Sequence, residues 1–117
     1  MVTHVLPLSV IEIREYIDSH GHSPYRGWVV KLDAATRARV IVAVLRMERS
    51  NFSNAKGVGS GVSELRLDFG AGYRVYFGRD GERLVILLGG GSKKRQQADI
   101  ETAHTLWAEY KKRKREE

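Results

Sequence analysis

The chain has no cysteine, only two prolines and no long hydrophobic run among its 117 residues. Without thiols it cannot form disulfides, hold zinc or an iron–sulfur cluster through thiolates, or attack a substrate with a cysteine nucleophile. The longest mostly apolar stretches, such as Leu84 to Leu88, are far too short to span a bilayer. The N-terminus is apolar but lacks a basic segment ahead of it, so it makes a poor signal peptide and a cytoplasmic location is expected. No internal repeat is visible, and no Pro/Gly/Ser-rich linker divides the chain; the length suits a single domain. Of the four histidines, His4, His20, His22 and His104, only His20 and His22 lie close in sequence, with no carboxylate at ligand spacing. Neither a metal nor a cofactor is expected.

What the chain does have is positive charge: 20 Lys plus Arg against 14 Asp plus Glu, a net +6. Basic domains often meet nucleic acid or other anionic surfaces, although modest net charge also serves solubility. The last seven residues, Lys111 to Glu117, hold five cations and two carboxylates, half of the excess. They read as a frayed helix end that touches a polyanion only diffusely.

The pattern is that of an α+β protein in the order β-α-α-β-β-β-α, a small antiparallel or mixed sheet with helices packed on one side. Residues 1–9 read as an N-terminal extension, 10–110 as the folded domain and 111–117 as a basic tail. Val10 to Ile17 alternates, with Ile11, Ile13 and Ile17 facing one way and Glu12, Arg14 and Tyr16 the other, which predicts a strand. A helix through the same residues fits nearly as well. Ser23-Pro24 reads as an N-cap and first helical residue ahead of a short helix through Trp28 to Leu32. Asp33 is a second N-cap, and the residues after it form an amphipathic helix with Val40, Ile41, Val44, Leu45 and Met47 on its apolar side. Asn51 to Gly61 reads as a loop. Val62 to Phe69, Tyr73 to Phe77 and Arg83 to Leu88 read as strands, the last two joined by an Asp80-Gly81 hairpin turn. The closing helix is predicted from about Gln97 to Lys112, with its apolar stripe on Ile100, Ala103, Leu106, Trp107 and Tyr110.

Two groups of cations could carry chemistry. Gly89 to Ser92 ends a buried strand, and Lys93, Lys94 and Arg95 follow at the mouth of a helix. A glycine loop, a helix N-terminus and ammonium groups together suit an anion; a solvated basic loop is the plainer reading. Arg66 and Arg74 sit within strands, where long charged residues need an open face. They could share one face and clamp a phosphate, or pair across strands with Glu64 or Asp68. Cations beside a sheet face could stabilise charge on an RNA phosphate during cleavage by the neighbouring 2′-hydroxyl. Such a reaction needs a proton carrier, and Tyr73, Asp99 and His104 are the available side chains.

The segments GVSELRLDFGAGYRVYF (Gly61 to Phe77) and LVILLGGGSKKRQQADI (Leu84 to Ile100), with IEIREYI and SPYRGW before them, resemble the RelE/ParE toxin superfamily. The resemblance is closest to its phage-derived Gp49-like or HigB-like branch of addiction module killer proteins and runs over roughly residues 10–110. It implies the small RelE-like sheet with two N-terminal helices and one C-terminal helix. It also implies the toxin of a type II toxin–antitoxin pair, with an antitoxin partner that is usually a helix-turn-helix protein. The implied activity is metal-free cleavage of messenger RNA, commonly on the ribosome. By the same resemblance Arg74 binds or stabilises the scissile phosphate, Arg66 is the basic residue of the preceding strand, and Lys93 and Lys94 are transition-state cations. Asp99 stands about where the family carries a tyrosine base. Arg95, Tyr73 and Lys56 complete the expected RNA contacts. The superfamily also holds gyrase-poisoning ParE-like members, and a non-toxic relative kept for antitoxin binding is the remaining alternative.

Overall fold

The computed structural model describes residues 10–117; His4 and the extension over 1–9 lie outside the described residues. A five-stranded sheet runs in the order β1-β5-β4-β3-β2. The strands are β1 (Glu12–Glu15), β2 (Ala55–Gly57), β3 (Val62–Leu67), β4 (Tyr73–Arg79) and β5 (Leu84–Ser92). β1 is parallel to β5, and every other pairing is antiparallel. The helices are α1 (Pro24–Val29), α2 (Ala34–Arg46) and α3 (Gln96–Arg115). This is the mixed-sheet α+β architecture the sequence implies, consistent with a small RelE-like fold.

The two N-terminal helices start where side-chain chemistry dictates. The Ser23 hydroxyl accepts the Arg26 backbone N–H at 3.0 Å, and Pro24 takes the first helical position. The Asp33 carboxylate accepts the Thr36 N–H at 2.9 Å and its hydroxyl at 2.8 Å, satisfying donors that the first turn leaves orphaned. α1 therefore begins at the proline and ends at Val29, earlier than the predicted Trp28 to Leu32.

The expectation that all helices lie on one side is overturned. Both sheet faces carry a core because the buried strands alternate between them. Val75, Phe77, Val85 and Leu87 face α1 and α2, where they meet Tyr25, Val29, Val40, Val44 and Met47. Tyr76, Ile86 and Leu88 face α3, where they meet Ala103 and Trp107. β5, an unbroken apolar run, is buried on both faces, as its sequence predicts. A bulge opposite the step from Tyr76 to Phe77 shifts its register by one residue at Leu88.

Close approach of the layers depends on missing side chains. A Cβ on Gly78 would stand 2.5 Å from the Trp107 ring, and one on Gly90 would stand 2.2 Å from the Trp28 ring. The run Gly89 to Gly91 is thus the end of a strand rather than a flexible loop: Gly90 admits an indole on one face and Gly91 a carboxylate on the other.

Four other expectations change. The Asn51 to Gly61 loop contains β2, a three-residue edge strand paired with β3. Tyr16, expected on the polar side of β1, is buried against α3, while Ile17 is 45% exposed. Tyr16 does lie opposite Ile11 and Ile13, as the alternation predicts, but α3 covers that face; β1 ends at Glu15, just before Ile17. α3 continues past Lys112 to Arg115 because its end is tied down. Arg113 donates to the Ile17 carbonyl at 2.8 Å and to the Tyr16 hydroxyl, while Lys114 pairs with Asp80 and the Tyr110 hydroxyl donates to Asp80 at 2.6 Å. Finally, Ile41 and Leu45 of α2 are 42% and 50% exposed rather than core.

The Gly78–Trp107 contact is testable. Gly78→Ala forces the indole or the strand to move and is expected to cost about 1–3 kcal/mol, read as a lower urea midpoint.

Candidate phosphate site on the α3 face of the sheet

The antiparallel register pairs Arg66 of β3 directly with Arg74 of β4, and Arg74 with Gly91 of β5. The next row is Lys56, Glu64, Tyr76 and Gly89 across β2 to β5. Leu65, Leu67 and Val75 point to the α1 and α2 face. The alternation therefore sets Glu64, Arg66, Arg74 and Tyr76 on the other face, beneath the start of α3.

Two arginines side by side would repel, and a carboxylate intervenes. Glu64 Oε2 lies 3.9 Å from Arg74 Nε, and Glu64 Oε1 lies 3.9 Å from Arg66 Nε. These are ion pairs without a hydrogen bond. The hydrogen bonds to Glu64 come instead from Gln96, whose amide donates to both carboxylate oxygens at 2.8 and 3.1 Å. Arg74 is itself held by its own strand: its Nη1 donates to Gly72 O at 2.9 Å and to Tyr73 O at 3.3 Å. Glu64 and Arg74 are buried, at 2% and 3% exposure, whereas Arg66 is open to solvent. Of the two readings of these strand arginines, the face-sharing and the pairing with Glu64 coexist, and Asp68 takes no part.

Asp99 completes the cluster. Its Oδ2 occupies the space a Cβ on Gly91 would fill, 1.9 Å away. That oxygen, the Tyr76 hydroxyl and Arg74 Nε are buried and have no hydrogen-bond partner. Burial pushes the Asp99 carboxyl up, with Arg95 pulling the other way. Burial first, then the charges of Glu64 and Asp99, push the Tyr76 phenol up.

The basic residues after the glycines form a 3-10 turn, Lys93–Arg95, which no side chain caps. The Lys93 N–H donates to Ala71 O at 3.2 Å, and its Cβ would lie 3.1 Å from a Cβ on Gly72, which Arg74 Nη1 also touches. Lys93, Lys94 and Arg95 are exposed beside the Arg74 strand. Lys56 is exposed at the sheet edge, in the Glu64 row.

The structure thus brings together Arg66, Arg74, Lys93 and Asp99, with Lys94 and Arg95 on the same turn. Tyr73 lies elsewhere: its ring is half-buried on the α1 and α2 face, 6.5 Å from Trp28 and 5.4 Å from Phe69. The His104 ring is engaged with Val58 O at 3.0 Å. Reading the sequence alone missed Gln96 and Tyr76, and saw Glu64 only as a pairing partner. The alternation of ELR against GYRVY is the signal that sets Glu64, Arg66, Arg74 and Tyr76 on one face.

A sequence model described as "Phage derived protein Gp49-like (DUF891)" matches residues 27–111, a span that holds every member of this cluster. The chain belongs to the phage-derived Gp49-like family. That family falls within the RelE/addiction-module killer superfamily, a toxin-like or addiction-module setting in which an antitoxin partner is expected. An uncharacterised protein of Haemophilus influenzae is similar, 40% identical over 83 residues that make up 70% of this chain and 84% of the relative. No solved structure matches. Among the described residues, no helix is long and apolar enough to cross a membrane.

Two outcomes follow for the Gp49-like cluster. Gln96→Ala strips a buried carboxylate of its hydrogen-bond donors and is expected to cost about 1–3 kcal/mol in urea unfolding. Asp99→Asn removes a charge that burial disfavours. Because the folded pKa of Asp99 is raised, its penalty is absent when both states are protonated and grows as pH rises. The substitution is therefore expected to stabilise the protein at pH 7, with the gain fading in acid.

Proposed function

We propose that the chain is the toxin of a type II toxin–antitoxin pair, of the HigB-like kind, and that it cleaves messenger RNA without a metal ion. Its antitoxin would be a helix-turn-helix protein, and its RNA would be presented on the ribosome. The observation that supports this most is the row Arg66–Arg74 beside the Lys93–Arg95 turn. Two strands and a helix start deliver cations to one patch, while Glu64 compensates only part of their charge.

In this reading Arg66, Lys93 and Lys94 are the groups that reach the phosphate, and Arg95 and Lys56 contact flanking backbone. Arg74 lies too deep to meet RNA in this conformation. Its fixed charge supports the site from below and holds Glu64, which in turn orients Arg66. The RNA supplies its own nucleophile. The 2′-hydroxyl attacks the adjacent phosphorus, the bond to the 5′-oxygen breaks with that oxygen taking a proton from water, and the cations stabilise charge on the non-bridging oxygens. Asp99 takes the 2′-hydroxyl proton, a role for which its raised pKa suits it better than an ordinary aspartate. Tyr73 is assigned no proton transfer, since its ring lies on the other face.

Arg66→Ala is the decisive variant, because an exposed side chain can be removed without disturbing the core. It is expected to keep the native circular dichroism spectrum. It should lower mRNA cleavage by about 100-fold or more, as for the loss of one transition-state cation, and relieve growth inhibition when expressed. Arg74→Ala should also abolish toxicity, but with a loss of about 3–5 kcal/mol from stranding Glu64. A folded Arg66→Ala protein that cleaves mRNA at the wild-type rate contradicts the assignment. So does wild-type toxicity accompanied by DNA breaks and intact mRNA.

A further inference from the structure

α2 has two apolar faces. One buries Val40 and Val44 against the sheet. The other points to solvent and carries Ala34, Ala38, Ile41, Val42 and Leu45, with Ile41, Val42 and Leu45 each 42–50% exposed. A helix that is apolar nearly all round is normally covered on both sides. Between Asp33 and Glu48 the chain has no acidic residue, and Arg39 and Arg46 flank the outward stripe. Beside them lies a groove of about 390 Å³ lined by Val42, Arg39, Arg46, Arg66 and Phe69, with Asp68 as its acidic residue. The Arg39 guanidinium lies 3.8 Å over the Phe69 ring, which fixes one wall.

We infer that this face of α2 is the docking surface for an acidic amphipathic helix of a partner protein. The partner's apolar ridge packs on Ile41, Val42 and Leu45, and its carboxylates meet Arg39 and Arg46. The small residues Ala34 and Ala38 let a second helix axis come close, as ridge-into-groove packing requires. A second copy of this chain is a poor occupant. Self-pairing of α2 would set Arg39 and Arg46 against their own counterparts, with no acid on the helix and +6 on each chain. Residues 1–9 are a poor occupant too, since they contain no carboxylate. A flat lipid surface does not fill a groove. α2 covers the sheet face opposite the Arg66–Arg74 row, and although Arg66 also borders the groove, the inference rests on the α2 residues and its test substitutes none of the residues of the ribonuclease reading, so the two fail separately.

The test uses the full chain and two synthetic amphipathic helices that share one leucine ridge, flanked by glutamates in one and by lysines in the other. Fluorescence anisotropy should show the glutamate helix binding, with affinity falling as salt rises, and the lysine helix binding at least about tenfold more weakly. Ile41→Glu/Leu45→Glu, checked for folding by circular dichroism, should abolish the binding; Leu45→Ala is a milder variant that should weaken it. Equal binding of the two helices, or no binding of either, overturns the inference. So does a dimer of the chain that Leu45→Glu dissolves, binding that appears only after removal of residues 1–9, or a preference for phosphatidylserine vesicles over the glutamate helix.

Discussion

The Glu64 carboxylate is the constraint on which the α3 side of the molecule depends. It is buried between Arg66 and Arg74 at 3.9 Å from each and, among the described residues, is hydrogen-bonded only by Gln96. A lone buried carboxylate costs several kcal/mol, and so does a lone buried guanidinium. Each is tolerable because the other is there. The same carboxylate joins β3 and β4 to the first turn of α3, so charge compensation and helix docking are one event. The helix start needs such an anchor: Arg95 provides no cap, and three cations oppose the dipole there.

The layers above and below that point are set by absent side chains. Gly90 and Gly91 are neighbours on β5, yet one makes room for the Trp28 ring and the other for the Asp99 carboxylate. The strand therefore carries both an aromatic core contact and a polar site contact within two residues. Gly78 does the same for Trp107. The polar cluster leaves three buried atoms, on Arg74, Tyr76 and Asp99, without a hydrogen bond, where few are expected in a folded domain. A uniformly apolar interface between β3, β4 and α3 would be more stable and inert.

Much of this was legible in the sequence. The caps at Ser23 and Asp33 act through local chemistry, while β3 announced itself by alternation, β5 by its unbroken apolar run, and β4 and β5 together by the Asp80-Gly81 turn between them. That Arg66 and Arg74 share a face was one of two readings open to adjacent strands; their direct pairing is set by the register. What was not legible depends on tertiary neighbours. Ile41 and Leu45 fit the apolar side of α2 by spacing, but the sheet reaches only Val40, Val44 and Met47. Tyr16 looked polar until α3 covered it, and the Gly89–Gly91 run looked like a loop because glycine has no side chain to reveal a strand. Gln96 had no local pattern at all: its role exists only because Glu64, thirty-two residues earlier, arrives beneath it.

In the proposed reaction the cations organised by Glu64 act on an RNA phosphate whose own 2′-hydroxyl is the nucleophile. Analysis of the ends of RNA cut by the purified protein on programmed ribosomes tests it most directly. Attack by the 2′-hydroxyl leaves upstream fragments ending in a 2′,3′-cyclic phosphate and downstream fragments starting with a 5′-hydroxyl. Fragments with 3′-hydroxyl and 5′-phosphate ends, or RNA left intact, would contradict it.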